Sequence, residues 1–243
     1  MPNPTAAMLV IGDEILSGRT QDTNTHYLAG QLTERGIDLC EVRVVSDDAG
    51  AIGDAARALS AAYDHLFTSG GIGPTHDDIT ADAIGAAFGA HVDVRADARA
   101  ILQTHYDRVG TELNEARLRM ARIPDAATLI DNPVSAAPGF TVGNVHVMAG
   151  VPSVFKAMVA SVLPGLTGGD PLVSSTLRIF RGEGDIAGPL AELATAYEDL
   201  SVGSYPFSKD GVYGAQIVIR GADAARVVAA IASLTETFGA DAA

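Results

Sequence analysis

Thr68-Ser69-Gly70-Gly71-Ile72-Gly73-Pro74-Thr75-His76-Asp77-Asp78-Ile79-Thr80 is the stretch on which the reading of this chain turns. An apolar pair, Leu66-Phe67, runs straight into three glycines, and an acidic pair then precedes an apolar helical pattern. Glycines between a strand and a helix let bare backbone approach a ligand, and a helix start offers unpaired N–H groups to phosphate oxygens. The stretch holds no lysine or arginine. Phosphate beside Asp77 and Asp78 would be repelled unless a divalent cation sat between them. The pattern points to a phosphate ester or pyrophosphate bridged by a metal, with Gly70, Gly71, Gly73, Pro74 and Thr75 around the phosphate. An ordinary βα turn is the competing explanation, and in it Asp78 caps the helix.

Working outward, apolar runs and amphipathic stretches alternate in a βαβα rhythm, which predicts a mostly parallel sheet with helices on both faces. Met8 to Gly12 reads as the first strand. Asp22 to Arg35 reads as a helix that turns Tyr27, Leu28 and Leu32 inward and closes at Gly36. Ile37 to Val45 is the second strand, and Asp48 caps a helix running to Tyr63. His65 to Thr68 is the third strand, and Asp78 to Phe88 the next helix, with Gly89 at its end. Arg95 to Arg122 is charged and helical, broken near Gly110. Asn144 to Met148 is a further strand, followed by a helix from Ser153 to Leu163.

A break at Pro164-Gly165 and Gly168-Gly169-Asp170-Pro171 is the strongest linker signal, dividing the chain into residues 1–168 and 169–243. Beyond it, Leu172–Arg181, Asp185–Tyr197, Val202–Pro206, Val212–Arg220 and Ala222–Phe238 read as βαββα. That is a small α+β domain, its hairpin turned by Asp210-Gly211.

Hydrophobic residues make up 47% of the sequence, enough for a packed core, and aromatics only 5%, so that core is expected to be built from Ala, Val, Ile and Leu. Sixteen Lys and Arg against thirty Asp and Glu leave a net charge of −14, which repels nucleic acid and anionic lipid and makes both poor partners. No apolar run reaches the roughly 20 residues needed to cross a bilayer. The first residues lack the basic start of a secretory signal. Cys40 is the lone cysteine, which excludes an internal disulfide, fits a reducing cytoplasm, and is expected in a buried strand. The six histidines show no zinc-ligand spacing, and only His76 falls in a candidate site.

Ligands of open α/β sheets bind beyond the carboxyl ends of the strands. Four loops there carry signals. Asp13 and Glu14 follow the first strand, where they either ligate metal or activate water or, taken alone, are solvated loop acids. Asp47 and Asp48 follow the second; one is a helix cap and the other a solvated loop carboxylate, or, since one cap needs only one acid, Asp47 is a metal candidate. Gly70 to Asp78 follows the third, adding Asp77 and Asp78 to the metal set. Gly150-Val151-Pro152 follows the strand around Val145. A further small-residue loop, Asn132 to Gly139, either binds a ring system edge-on through Asn132, Ser135 and Gly139 or is a structural double turn. Nothing matches a Walker motif or a nucleophile elbow.

Gly12-Asp13-Glu14-Ile15-Leu16-Ser17-Gly18, Asp22-Thr23-Asn24, Ser69 to Thr80, Asn132-Pro133 to Pro138-Gly139 and Gly150-Val151-Pro152 occur in a fixed order. In that combination residues 6 to 165 resemble the MoaB/MogA molybdopterin-binding family, most closely its CinA-type branch. The same domain forms the N-terminal part of some eukaryotic FAD synthases, and the βαββα segment resembles the small domain that follows in the CinA branch.

The resemblance implies a three-layer α/β/α fold with a pterin- or nucleotide-phosphate pocket at Gly70 to Asp78. It also implies a divalent cation, Mg²⁺ or Co²⁺, molybdopterin as a candidate ligand, and a homo-oligomer. MogA-type adenylyltransferases use acids matching Asp47 and Asp78 to transfer AMP onto molybdopterin. CinA-type relatives resemble metal-dependent pyrophosphatases acting on ADP-ribose or FAD. The sequence departs from the pattern at Ser135-Ala136, where the family has Gly-Thr, and at Val154, where it has glutamate. The deamidase domain of full CinA proteins is missing from this sequence, so no nicotinamide-nucleotide deamidase activity is expected.

Overall fold

The computed structural model describes residues 3–209 and 211–242, in two compact units, Met1–Gly169 and Asp170–Ala243. The first unit opens with β1 (Thr5–Ile11), α1 (Asp13–Leu16), α2 (Asn24–Glu34), β2 (Asp38–Val45), α3 (Ala49–Ala62), β3 (His65–Ser69) and α4 (Thr80–Phe88). It continues with β4 (Val92–Val94), α5 (Ala96–Val109), α6 (Glu115–Leu118), β5 (Arg122–Pro124), β6 (Thr128–Ile130), β7 (Gly139–Val142), β8 (Val145–Met148) and α7 (Pro152–Val162).

Six of these strands form one sheet in the order β2-β1-β3-β8-β7-β6. The pairs β1–β2, β1–β3 and β3–β8 are parallel, whereas β7 and β6 return antiparallel. The strand β1 explains the layering. Ala7, Leu9 and Ile11 enter a cluster with Ile52, Leu59, Ile84 and Phe140, and Ala6, Met8 and Val10 enter another with Leu28, Leu32, Phe67 and Phe155. Both faces of the strand are therefore buried, which is why its sequence is a continuous apolar run and not an alternation. The sheet is the middle layer of an α/β/α sandwich, with α3 and α4 on one side and α2 and α7 on the other.

Strand β2 corrects one expectation. It lies at the sheet edge, and Cys40 is exposed together with Val42 and Val44 on the same side of the strand. An apolar sequence at an edge is not evidence of burial, because the cover on one side can stop short of it.

Beneath the loops, β8 buries His146, whose Nδ1 lies 3.1 Å from Thr141 Oγ1 and whose Nε2 lies 3.5 Å from His65 Nδ1. Burial, and then the charge of His65, push the His146 imidazole down to about 4.

The proline- and glycine-rich break is narrower than its composition predicts. Leu163 is buried in the core at the start of a 3₁₀ turn, Leu163–Gly165. Gly168 packs against the carbonyl of Arg35, and Gly169 N–H donates to Gly36 O at 3.1 Å. Both glycines belong to the first unit.

The second unit comprises β9 (Val173–Ile179), α8 (Glu183–Ala196), β10 (Ser201–Lys209), β11 (Val212–Gly221) and α9 (Ala224–Phe238), the βαββα order expected. Its strands pair antiparallel as β10-β11-β9. One face, with Leu177, Ile179, Ile217 and Ile219, packs on Ile186 and Leu193 of α8 and Val227 and Leu234 of α9. Of the predicted hairpin turn, Asp210 lies outside the described residues, and Gly211 has the left-handed φ of 79° that suits such a turn.

Candidate functional site

Strand β1 has β2 on one side and β3 on the other, so the loops after β1 and β3 lead to opposite sides and leave a crevice beyond the carboxyl ends. A cleft of about 480 Å³ lies there. Its walls gather all four βα loops: Glu14 after β1, Asp47 after β2, Gly70, Gly71, Gly73, Pro74, Asp77 and Asp78 after β3, and Gly150 and Pro152 after β8. Asn132 and Ser135 also line it.

The glycine loop is shaped by close backbone approaches. Gly70, at φ 115°, lies against the carbonyl oxygen of Ile11, so any side chain there collides with main chain. At Gly73 a β-carbon would stand 2.6 Å from Asp78 Oδ2. Thr80, the first residue of α4 and fully buried, clasps the loop from below. Its N–H donates to Gly71 O at 3.0 Å and its hydroxyl to Gly70 O at 3.1 Å. The N–H groups of Gly71, Ile72 and Gly73 have no acceptor among the described residues. Consecutive free amides beside a cleft are an anion cradle.

Asp78 is not the helix cap that the sequence predicts. Ile79 holds that position, with no side-chain cap. The Asp78 carboxylate instead accepts from Thr75 N–H at 2.8 Å and Thr75 Oγ1 at 2.5 Å, closing a turn within the loop. Thr75 therefore spends its hydroxyl on Asp78 and does not line the cleft, a correction to its expected contact with phosphate.

Asp47 ties two loops together, since Asp13 N–H donates to Asp47 Oδ2 at 3.0 Å. Asp48 caps α3 by accepting from Ala51 N–H at 2.9 Å. The Asp13 side chain is exposed and lies outside the lining, so of the first acidic pair only Glu14 reaches the cleft. Gly139 requires another correction. It is buried at the head of β7, where a β-carbon would stand 2.5 Å from Val147 O, and it packs strands without facing ligand. Asn132 is also buried, its Nδ2 donating to Ser135 Oγ at 2.7 Å and Ala137 O at 2.8 Å, and its Oδ1 accepting from Val134 and Ser135 N–H.

No lysine or arginine lines the cleft. Arg119, which the sequence reading passed over inside a charged helical stretch, supports the loop through Nη2, 3.3 Å from Asp78 O. Among the described residues no three His, Cys, Asp or Glu side chains converge on a metal position. Asp47, Asp77 and Asp78, the acids expected to coordinate a cation, all line the cleft. Their carboxylates share a wall, but Asp47 and Asp78 each have one oxygen committed to backbone N–H.

Residues 7–168 match the family model described as "Probable molybdopterin binding domain", and residues 171–243 match "FAD synthase, middle domain". The chain belongs to the molybdopterin-binding domain family of MoaB and MogA. Within it, the similarity points to the CinA-type branch. A CinA-like protein of Citrifermentans bemidjiense is 39% identical over 167 residues, covering 67% of this chain and 40% of the relative. The crystal structure of CinA from Thermoplasma acidophilum, a protein described there as of unknown function, shares 34% identity with a TM-score of 0.61, covering 67% of this chain and 97% of that one. A protein of Caenorhabditis elegans named "Probable FAD synthase" is 33% identical over 257 residues, covering 96% of this chain and 49% of the relative. The chain spans about half the length, or less, of these curated relatives. Among the described residues no helix is long and apolar enough to cross a membrane.

Proposed function

We propose that the cleft binds a phosphate-bearing nucleotide or pterin, and that with Mg²⁺ or Co²⁺ the chain hydrolyses a nucleotide diphosphate of the ADP-ribose or FAD kind. One observation carries this reading: three free loop amides and four carboxylates line one cleft, and no basic side chain joins them. Amides alone leave most of a diphosphate's charge uncompensated, and the carboxylates add to it, so a divalent cation must enter with the ligand.

The donor set fits such a cation. Mg²⁺ favours one or two carboxylates plus substrate phosphates over an all-protein cage, and Asp47 and Asp78, with Asp77 beside them, are hard oxygen donors of that kind. When bound, the cation would neutralise and polarise the phosphoryl oxygens. Gly71, Ile72 and Gly73 N–H would hold the phosphate in place. Glu14 would orient a water and take its proton as the P–O–P bridge breaks to leave two monophosphates. The FAD synthase name of the Caenorhabditis elegans relative supports a dinucleotide-like ligand.

The variant Asp78→Asn is expected to lower metal-dependent release of AMP from ADP-ribose or FAD about a hundredfold, with an unchanged circular dichroism spectrum. Unaltered turnover would remove Asp78 from the site. A second reading, a non-catalytic molybdopterin carrier, is favoured by the lack of converging metal ligands among the described residues, and a molybdopterin adenylyltransferase, itself dependent on Mg²⁺, by Asp47 and Asp78 on the cleft wall. Incubation with ADP-ribose, FAD, or ATP plus molybdopterin, with and without metal, separates the three. Ligand binding with no AMP released or transferred supports the carrier.

A further inference from the structure

Beside the main cleft lies a smaller cavity of about 60 Å³, which shares Ile11, Glu14, Thr20, Gly150 and Pro152 with it. The motif Asp22-Thr23-Asn24 forms part of its wall. Asn24, at the start of α2, is only 5% exposed. Its Nδ2 donates to Ser69 Oγ and to Gly150 O, each at 2.8 Å. A backbone carbonyl accepts and never donates, so the Gly150 contact fixes which end of the amide is which. The other end, Oδ1, is buried with no hydrogen-bond partner. Asp22 beside it cannot satisfy it, being itself an acceptor that takes the N–H groups of Asn24 and Thr25.

A buried acceptor locked in one orientation and left unpaired is costly, and the cost is recovered when a donor arrives. The cavity has the volume of about two waters, so it admits a substituent and not a ring. The carboxylate of Glu14 on the same wall again favours a donor and disfavours another phosphate.

We propose that Asn24 Oδ1 is a specificity-determining acceptor that reads a hydrogen-bond donor of the ligand, a ribose hydroxyl or a ring amino group, inserted into this side cavity. The proposal rests on the ligand class assigned to the main cleft. It gives Asn24 a task separate from phosphate binding, and it makes Ser69 and the Gly150 carbonyl positioning groups that aim the amide.

The test is calorimetric titration of the intact chain, in Mg²⁺, with pyrophosphate, ADP, 2′,3′-dideoxy-ADP and inosine diphosphate. Wild-type protein is expected to bind ADP about tenfold more tightly than at least one analogue. A weaker dideoxy compound identifies the ribose as the source, and a weaker inosine compound the amine. In Asn24→Ala the gap should close to about twofold while pyrophosphate affinity is kept. Asn24→Ser supplies the same comparison if the alanine variant does not fold. Equal wild-type binding of all three nucleotides overturns the proposal and assigns Oδ1 to a trapped water. So does an Asn24 variant that loses pyrophosphate and ADP alike, because the residue is then only structural. Pyrophosphate binding without nucleotide discrimination sinks the side cavity alone, whereas failure of every probe to bind sinks the phosphate-cleft reading with it.

Discussion

Two small-residue loops border the same cleft and are built in opposite ways. The Gly70–Asp78 loop is gripped from outside, by the clasp of Thr80 and by close contact with Ile11, while three of its amides point to no protein acceptor among the described residues. The Asn132–Gly139 loop is wound around its own buried side chain, with Asn132 making four hydrogen bonds to residues within the loop. Both read as glycine-, proline- and serine-rich turns. What separates them is where their polar groups find partners. A loop braced by its surroundings keeps backbone free for a ligand, and a loop braced by itself has little left to offer.

That contrast can be broken by substitution. Gly70→Ala should cost roughly 4 kcal/mol, because the added carbon meets main chain at an unfavourable φ. Denaturant titration measures it, and a loss below the usual surface range would mean that the loop is not braced from outside.

The strand that pairs with both β3 and β7 gives the next effect. His146 on β8 is held neutral by burial, with a folded value of about 4 against 6.5 when unfolded. The unfolded chain takes up the proton first, so stability is complete above pH 6.5 and falls as the pH drops from 6.5 to 4. The loss over that window is about 3 kcal/mol. His146→Gln should flatten this part of the pH–stability curve, and an unchanged slope would point to other groups.

Asn132→Ala should cost about 2 kcal/mol by stranding the loop's amides. If the loop is self-contained, pyrophosphate affinity measured on the folded fraction will hardly move. A parallel loss of affinity would make Asn132 a ligand contact after all. The smallest effect is a gain. Ala136 has a left-handed φ of 64°, and Ala136→Gly should raise stability by about 0.5–1 kcal/mol, read as a higher Tm.

The parts of the fold that could be read in advance are those with a strong period or a sharp stop. Buried on both faces, β1 announces itself as an apolar run, and Gly36 and Gly89 end helices in the left-handed conformation. The short strands β6 and β7 carry too few residues to establish a period, so the antiparallel edge of the sheet beyond β8 was invisible, as was the separate pair β4–β5. At the site, the convergence of four loops followed from topology alone. The separate duties of adjacent residues did not. Thr75, Asp78 and Gly139 all have the residue types of a phosphate site, yet one closes a turn, one accepts that turn's bonds while facing the cleft, and one fits between strands. Composition names the chemistry available, and only the backbone path says which groups are already engaged.

The doublet Gly168-Gly169 ends the first unit as a hook on the turn that joins α2 to β2. Its composition suggests slack, yet a side chain at Gly168 would run into the Arg35 carbonyl of that turn, and one at Gly169 into the side chain of Asn3. The seam at which evolution or an engineer could exchange the downstream unit therefore falls after residue 169, and a graft made a few residues earlier would unfasten the sandwich it was meant to leave whole.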